Sequence, residues 1–274
     1  MKRKRVVAVK VAYDGREFSG FQRQPDRTTV ESALIESLRR VGAIGSAEKN
    51  RFRSSSRTDR GVSAVGNVVS FVTSFPPMSL CSAMNSELRG AWAYAIADVP
   101  DDFNPRWARQ RWYRYHLPKV AQDVGLMEEL ASGFEGTHDF SAFARRDDRN
   151  PVRKIDSIDV SEHGRLILLD FRAENFLWNM VRRIVWVLDA ASRGEVDPGD
   201  AVPEKKPGRG RTGLASPEPL TLMDVDCGVE FTVDAKAAEV VVAALEARIV
   251  RADTVQEFSQ HLLSALRPET GREG

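Results

Sequence analysis

The chain has 274 residues, of which 42% are hydrophobic and 29% charged, and a formal net charge of +1. These proportions suit a folded globular protein, long enough for one large domain or two smaller cores. No apolar run reaches the length of a membrane span, no signal-peptide stretch follows the basic N-terminus, and Cys81 and Cys227 are too few for a disulfide framework. The four histidines are scattered, so no zinc or haem site is predicted, and two buried thiols suit a reducing, cytoplasmic setting.

In chain order, Val6–Ala12 is rich in β-branched residues and predicts a strand. Thr28 with Glu31 has the spacing of a capping box, and Val30, Ala33, Leu34, Leu38 and Val41 then recur at helical period. Strands follow near Arg51–Ser55 and Asn67–Val72, then a helix from Ser79 with Leu80, Ala83, Met84 and Leu88 on one face, then a strand at Trp92–Asp98. The order is βαββαβ, a ferredoxin-like split unit.

The second half repeats that order. Trp112–Leu117 predicts a strand, Gly125–Phe134 a helix, Ile155–Val160 and Leu166–Phe171 a hairpin about His163-Gly164, Asn175–Ala191 a helix and Leu220–Phe231 a strand. The predicted class is α+β: two ferredoxin-like βαββαβ halves, residues 1–108 and 109–231, whose antiparallel sheets meet at a central basic cleft. A helical extension, residues 232–274, is expected to pack on the second half or contribute to a dimer. Residues 195–219 hold five prolines and four glycines with Lys205, Lys206, Arg209 and Arg211 among them, a composition that favours a mobile loop, either folding over a ligand or a plain insertion.

Charge is unevenly spread. Residues 1–60 carry 15 Lys+Arg against 7 Asp+Glu, a formal +8 (15 − 7). Local positive potential, rather than the whole-chain sum, governs phosphate binding, although a solvated basic face has the same composition. The Lys2-Arg3-Lys4-Arg5 cluster also has the form of a nuclear address, but an RNA-contacting or solvated N-terminus is the simpler reading.

The stretch Arg57-Thr58-Asp59-Arg60-Gly61-Val62-Ser63-Ala64 sets a carboxylate between two guanidinium groups just ahead of a strand-like run. Gly61 predicts a sharp turn that presents Asp59 at the lip of a sheet, and the flanking arginines would favour its ionised form, as a nucleophile or charge stabiliser requires. On spacing alone the same residues also describe an ordinary capped turn with solvated charges.

The octet resembles the signature of the TruA family of tRNA pseudouridine synthases. Other blocks resemble that family in the same order: Tyr13-Asp14-Gly15 through Gly20-Phe21-Gln22, Trp112-Tyr113-Arg114-Tyr115, Gly136-Thr137-His138-Asp139-Phe140, and Phe176-Leu177 through Met180-Val181-Arg182-Arg183. The resemblance covers roughly residues 6 to 230. It implies two halves meeting at a catalytic cleft, with Asp59 as nucleophile, Tyr113 stacking on the target uracil and Arg182 as the basic partner of Asp59. Arg57 would help to displace the target base, with Gln22, Arg23, Arg27 and Arg60 as further RNA contacts. Tyr115 shares a strand face with Tyr113, and the block alignment favours Tyr113. His138 and Asp139 are as readily structural, Asp139 capping a turn.

The implied reaction moves uracil from an N1–C1′ to a C5–C1′ bond in the anticodon stem-loop of tRNA, at positions 38 to 40, without metal or cofactor. The implied assembly is a homodimer with one tRNA spanning both subunits. Ser63 stands where many bacterial members have His, and Trp178-Asn179 lies inside the Phe-Leu-x-x-Met block; both are similar to archaeal or eukaryotic-type members. The competing reading is a non-catalytic RNA-binding protein of two ferredoxin-like units. The Gly-Phe-rich signature of RNA-recognition motifs is not found in the sequence.

Overall fold

A computed structural model describes residues 4–145, 150–203 and 213–266. Its strands are β1 (Arg5–Tyr13), β2 (Arg53–Ser54), β3 (Ser63–Thr73), β4 (Ala91–Val99), β5 (Gln110–Pro118), β6 (Gly136–Asp139), β7 (Val152–His163), β8 (Leu166–Ala173), β9 (Leu220–Asp226) and β10 (Thr232–Val233). Its helices are α1 (Val30–Arg40), α2 (Leu80–Glu87), α3 (Val124–Ser132), α4 (Met180–Ser192) and α5 (Ala235–Leu266). The fold is mixed α+β.

All the strands join one sheet in the order β10-β4-β1-β3-β9-β5-β8-β7-β6, with β2 paired to β3 off that path. In the first half the order is therefore β4-β1-β3-β2, and in the second β9-β5-β8-β7. Pairing within each half is antiparallel. The seam is different: β9 lies parallel to β3 over Ser63↔Thr221 and Ala64↔Leu222. The two sheets are thus hydrogen-bonded into one rather than merely facing each other. Residues from widely separated parts of the chain are held in fixed register where β3 begins.

Each half carries its own apolar cluster. In the first, Val7, Val9 and Val11 of β1 pack with Leu34 and Leu38 of α1 and with Leu80 and Met84 of α2. In the second, Leu169 and Phe171 of β8 pack with Met127 of α3 and Ile184 and Leu188 of α4. Removing a buried leucine such as Leu34 or Leu38 would cost about 2–5 kcal/mol through lost transfer energy and the cavity left behind. Strand β9 serves both clusters, Leu222 and Val225 in the first and Leu220 in the second.

Several boundaries differ from expectation. The cap of α1 is Thr29, whose side chain accepts from Ser32 N while Ser32 Oγ accepts from Thr29 N, so the box sits one residue after Thr28. Gly136–Asp139 is an edge strand paired with β7, and Asp139 Oδ1 accepts from Ser141 N at 2.8 Å, the turn-capping role. Helix α4 starts at Met180 rather than Asn175, because Asn179 adopts a left-handed φ of 66° that a continuing helix does not allow. Cys81 is buried but Cys227 only half-buried.

The C-terminal extension packs on the first half, not the second. The two residues of β10 pair with β4, and α5 follows against β4 and α2, burying Ala237 and Val241. Arg248 of α5 then pairs with Asp14 and Glu17 beside the Tyr13-Asp14-Gly15 turn. Lys205, Lys206, Arg209 and Arg211 of the basic loop, and Lys2 and Arg3, lie outside the described residues.

Candidate active site

The site forms where β3 begins. Gly61, at φ 88°, turns the chain so that Asp59 faces away from the strand, and Val62 N closes the turn by donating to Asp59 O at 3.2 Å. The Tyr13-Asp14-Gly15 turn lies directly against it. Gly61 N donates to Gly15 O, Gly15 N donates to Ser63 Oγ, and a Cβ on Gly15 would collide with Val62 O. Phe21 N donates to Thr58 O at 3.0 Å, which brings the Gly20-Phe21-Gln22 segment to the same turn. Two of the sequence blocks are therefore one structural unit.

A buried polar network supports the turn from below. Tyr13 OH and Thr58 Oγ1 share a hydrogen bond of 2.9 Å, and Asn67 Nδ2 donates to Tyr13 OH and to Ser56 O. Ser55 Oγ donates to Asn67 Oδ1 at 2.7 Å. Burial pushes the Tyr13 phenol well above its ordinary value, so it remains a neutral hydrogen-bonding group. With its partners satisfied, such a network fixes the segment 55–59 instead of leaving it mobile.

Asp59 is held by the other half. Arg182 Nη1 donates to Asp59 Oδ2 at 3.0 Å, and Trp178 Nε1 donates to Asp59 Oδ1 at 3.0 Å. The Arg182 side chain is only 12% exposed, against 29% for Asp59. Its Nε is anchored on Ala215 O at 2.8 Å. The pair with Arg182 is the one the family resemblance implies, whereas the sequence neighbours Arg57 and Arg60 are exposed and make no ion pair with Asp59 among the described contacts. A half-buried pair interacts more strongly than a solvated one, because water screens it less.

The cleft around Asp59 has a volume of about 940 Å³. Asp59, Tyr113, Arg182, Arg57, Gln22, Arg23, Arg27 and Arg60 all line it. Arg106 and Arg111, which the sequence did not single out, line it as well. Among the described residues, Asp59 is thus the only acid in a wall containing seven arginines. Partial burial and the neighbouring Arg106 push the Arg57 guanidinium below its ordinary value. A wall in which arginines outnumber carboxylates is the electrostatic setting for a polyanion.

Tyr113 and Tyr115 leave β5 on the same face but reach different places. Tyr115 is buried, at 3% exposure, in the second apolar cluster. Tyr113 is half-buried on the cleft wall, edge-on to Phe176 with ring centroids 5.4 Å apart. Burial pushes the Tyr113 phenol up to about 12; Arg111 opposes the shift and Asp59 adds to it. Tyr113 therefore presents a neutral hydroxyl and a ring at neutral pH.

Arg111 fastens the floor. It is buried, and its guanidinium donates to Ser56 Oγ at 3.0 Å, Ser55 O at 2.9 Å, Arg106 O at 3.1 Å and Glu174 O. No spacing rule flags such a residue, because its partners are mostly backbone carbonyls from distant segments. His138 is not among the lining residues. Among the described residues no His, Cys, Asp or Glu cluster suited to a metal occurs, and no helix is long and apolar enough to cross a membrane.

A carboxylate among arginines, faced by a tyrosine, is the arrangement of an enzyme site that takes an anionic substrate. The family model of tRNA pseudouridine synthases matches residues 9–107 and 130–226. The chain is 44% identical over 243 residues to tRNA pseudouridine synthase A of Thermococcus sibiricus, covering 85% of this chain and 89% of that protein. It is 41% identical over 237 residues to the protein of the same name from Pyrococcus abyssi, with 84% and 88% covered. It is 43% identical over 230 residues to that of Methanothermobacter thermautotrophicus, with 83% of each covered. The chain belongs to the tRNA pseudouridine synthase family, and its activity is that of an isomerase.

Proposed function

We propose that this enzyme converts uridine to pseudouridine in the anticodon stem-loop of tRNA, at positions 38 to 40, with Asp59 as nucleophile. The observation that carries the reading is the pairing of Asp59 with Arg182 in an arginine-walled cleft opposite Tyr113. The reaction breaks the N1–C1′ bond, rotates the uracil and forms a C5–C1′ bond. The C5 proton leaves to solvent and N1 gains one, so no redox partner is consumed. The carboxylate must be anionic and near the sugar and base, and the cleft must retain the detached uracil. The pairing of Asp59 with a guanidinium supports the first requirement and the cleft wall formed by Tyr113 and Phe176 the second.

Arg57, Arg23, Arg27 and Arg60 grip the phosphates, with Gln22 among them, and Arg57 takes the space vacated as the base leaves its stack. Eversion costs a few kcal/mol, which these charge-assisted contacts offset. Tyr113 supplies the stacking face. We read residues 1–108 and 109–231 as two ferredoxin-like units and 232–274 as an appended helical segment; the identical strand order of the two halves supports this. The protein is assigned to the cytoplasm. A homodimer is favoured by α5, which exposes Ile249, Val255, Phe258, Leu262 and Leu266 beyond its contact with the first half. Light scattering on the full chain tests it, a monomeric mass at micromolar concentration ruling it out.

The activity is tested with tRNA carrying tritium at uridine C5. Release of tritium to water by the wild type, abolished in Asp59→Ala, supports the reading. Release that persists in Asp59→Ala removes Asp59 from its role. Mapping pseudouridine in the product checks the positions.

A further inference from the structure

The Asp59 carboxylate has a second anchor that the ion pair does not explain. Trp178 Nε1 donates to Oδ1 while Arg182 takes Oδ2. Trp178 precedes α4, and the left-handed backbone of Asn179 turns the chain between them. Arg145 clasps Trp178 twice: its guanidinium lies over the ring at 4.0 Å, and its backbone N donates to Trp178 O at 3.0 Å. The residue is 43% exposed, yet its indole N–H is committed to Asp59.

We propose, building on the reading of Asp59 as nucleophile, that Trp178 is a positioning residue that fixes the Asp59 carboxylate plane, and that Arg145 acts through it. A carboxylate held at one oxygen still turns about its Cβ–Cγ bond, a soft torsion. A second donor on the other oxygen removes that freedom and leaves a lone pair of Oδ1 free for the substrate. Because the indole is neutral, it constrains the carboxylate without the further charge that another guanidinium would bring to a nucleophile. A cation over the ring draws density from the indole and strengthens its N–H as a donor. Arg145 also covers one ring face at 4.0 Å, which leaves that face unavailable for stacking on a base.

The test uses the full-length protein and tritiated tRNA. Trp178→Phe keeps the ring and removes the donor, and we expect kcat to fall about tenfold with KM unchanged within about twofold. Arg145→Met should lower kcat by a smaller factor, and the double variant should be no slower than Trp178→Phe alone. In protein labelled with 15N at indole nitrogen, the resonance missing from Trp178→Phe should shift in Asp59→Asn. A Trp178→Phe enzyme as fast as wild type overturns the proposal. So does a loss confined to KM, which would make Trp178 an RNA contact, or an indole resonance indifferent to Asp59→Asn. Should Trp178→Phe fail to fold, Arg145→Met and the resonance expected to move on Asp59→Asn still decide the matter. If the wild type releases no tritium, the nucleophile assignment fails, while the resonance separately decides whether the indole holds Asp59.

Discussion

Asp59 Oδ2 and Arg182 Nη1 lie 3.0 Å apart, although 123 residues separate them in the chain. Their meeting depends on the parallel seam between β3 and β9, which registers Ser63 with Thr221 and Ala64 with Leu222. Residue 215, just before β9, supplies the carbonyl that holds Arg182 Nε. Asp59 and its cation are therefore coupled through the sheet that unites the halves.

Removing the cation should impair chemistry more than binding. Arg182→Ala is expected to lower kcat by between about tenfold and about a hundredfold, as loss of a hydrogen bond to a charged group does, with a smaller change in KM. Arg182→Lys keeps the charge but loses the fork that spans Asp59 and Ala215, and should fall between. Single-turnover tritium release at saturating tRNA measures this; equal rates for all three proteins would dismiss the pair.

Arg57 should behave oppositely. It is exposed on the cleft wall, and among the described residues no carboxylate lies within ion-pair distance of it. Arg57→Ala is expected to weaken tRNA binding and to reduce the slope of log K against log salt by about one. Filter binding across a salt series reads the slope directly; an unchanged slope would mean that Arg57 touches no phosphate.

How much of this was legible in the sequence depends on the range of the interaction. Strands such as β1 and β4 announce themselves by β-branched and alternating residues, and the octet marks the Gly61 turn, because both are local. The eight site residues singled out from the chain all line one cleft. The seam, the clasp of Arg111 and the indole bond of Trp178 were not legible. Each joins segments tens of residues or more apart, Arg111 reaching Ser55, Ser56 and Glu174, and their partners are mostly backbone atoms or a single carboxylate without periodicity. The start of α4 was misplaced because helical spacing runs back through Trp178, whereas one left-handed residue, Asn179, interrupts it. The path of α5 to the first half is set by a two-residue strand, too short to carry a pattern.

Arg111 should matter for stability. Its buried guanidinium serves Ser55, Ser56, Arg106 and Glu174, and burial already pushes it below its ordinary value. Arg111→Met fills similar space but strands those acceptors, with an expected loss of about 2–3 kcal/mol. Urea unfolding compares the two proteins. A midpoint equal to wild type would show that water replaces the guanidinium without cost.

Alkaline pH should weaken the fold through its tyrosines. Burial pushes Tyr113, Tyr115 and Tyr94 up to about 12, from the ordinary 10.0. Between those values the unfolded chain has lost phenolic protons that the folded chain retains. Unfolded protein therefore binds fewer protons, and stability falls as pH rises. The contribution is complete below pH 10 and disappears as pH passes through about 12. Denaturant unfolding from pH 9 to 11.5 should show a decline beginning near 10. Tyr115→Phe, which keeps the buried ring and removes the ionisable hydroxyl, should make that decline shallower. If its slope matched wild type, Tyr115 would have to titrate alike in both states.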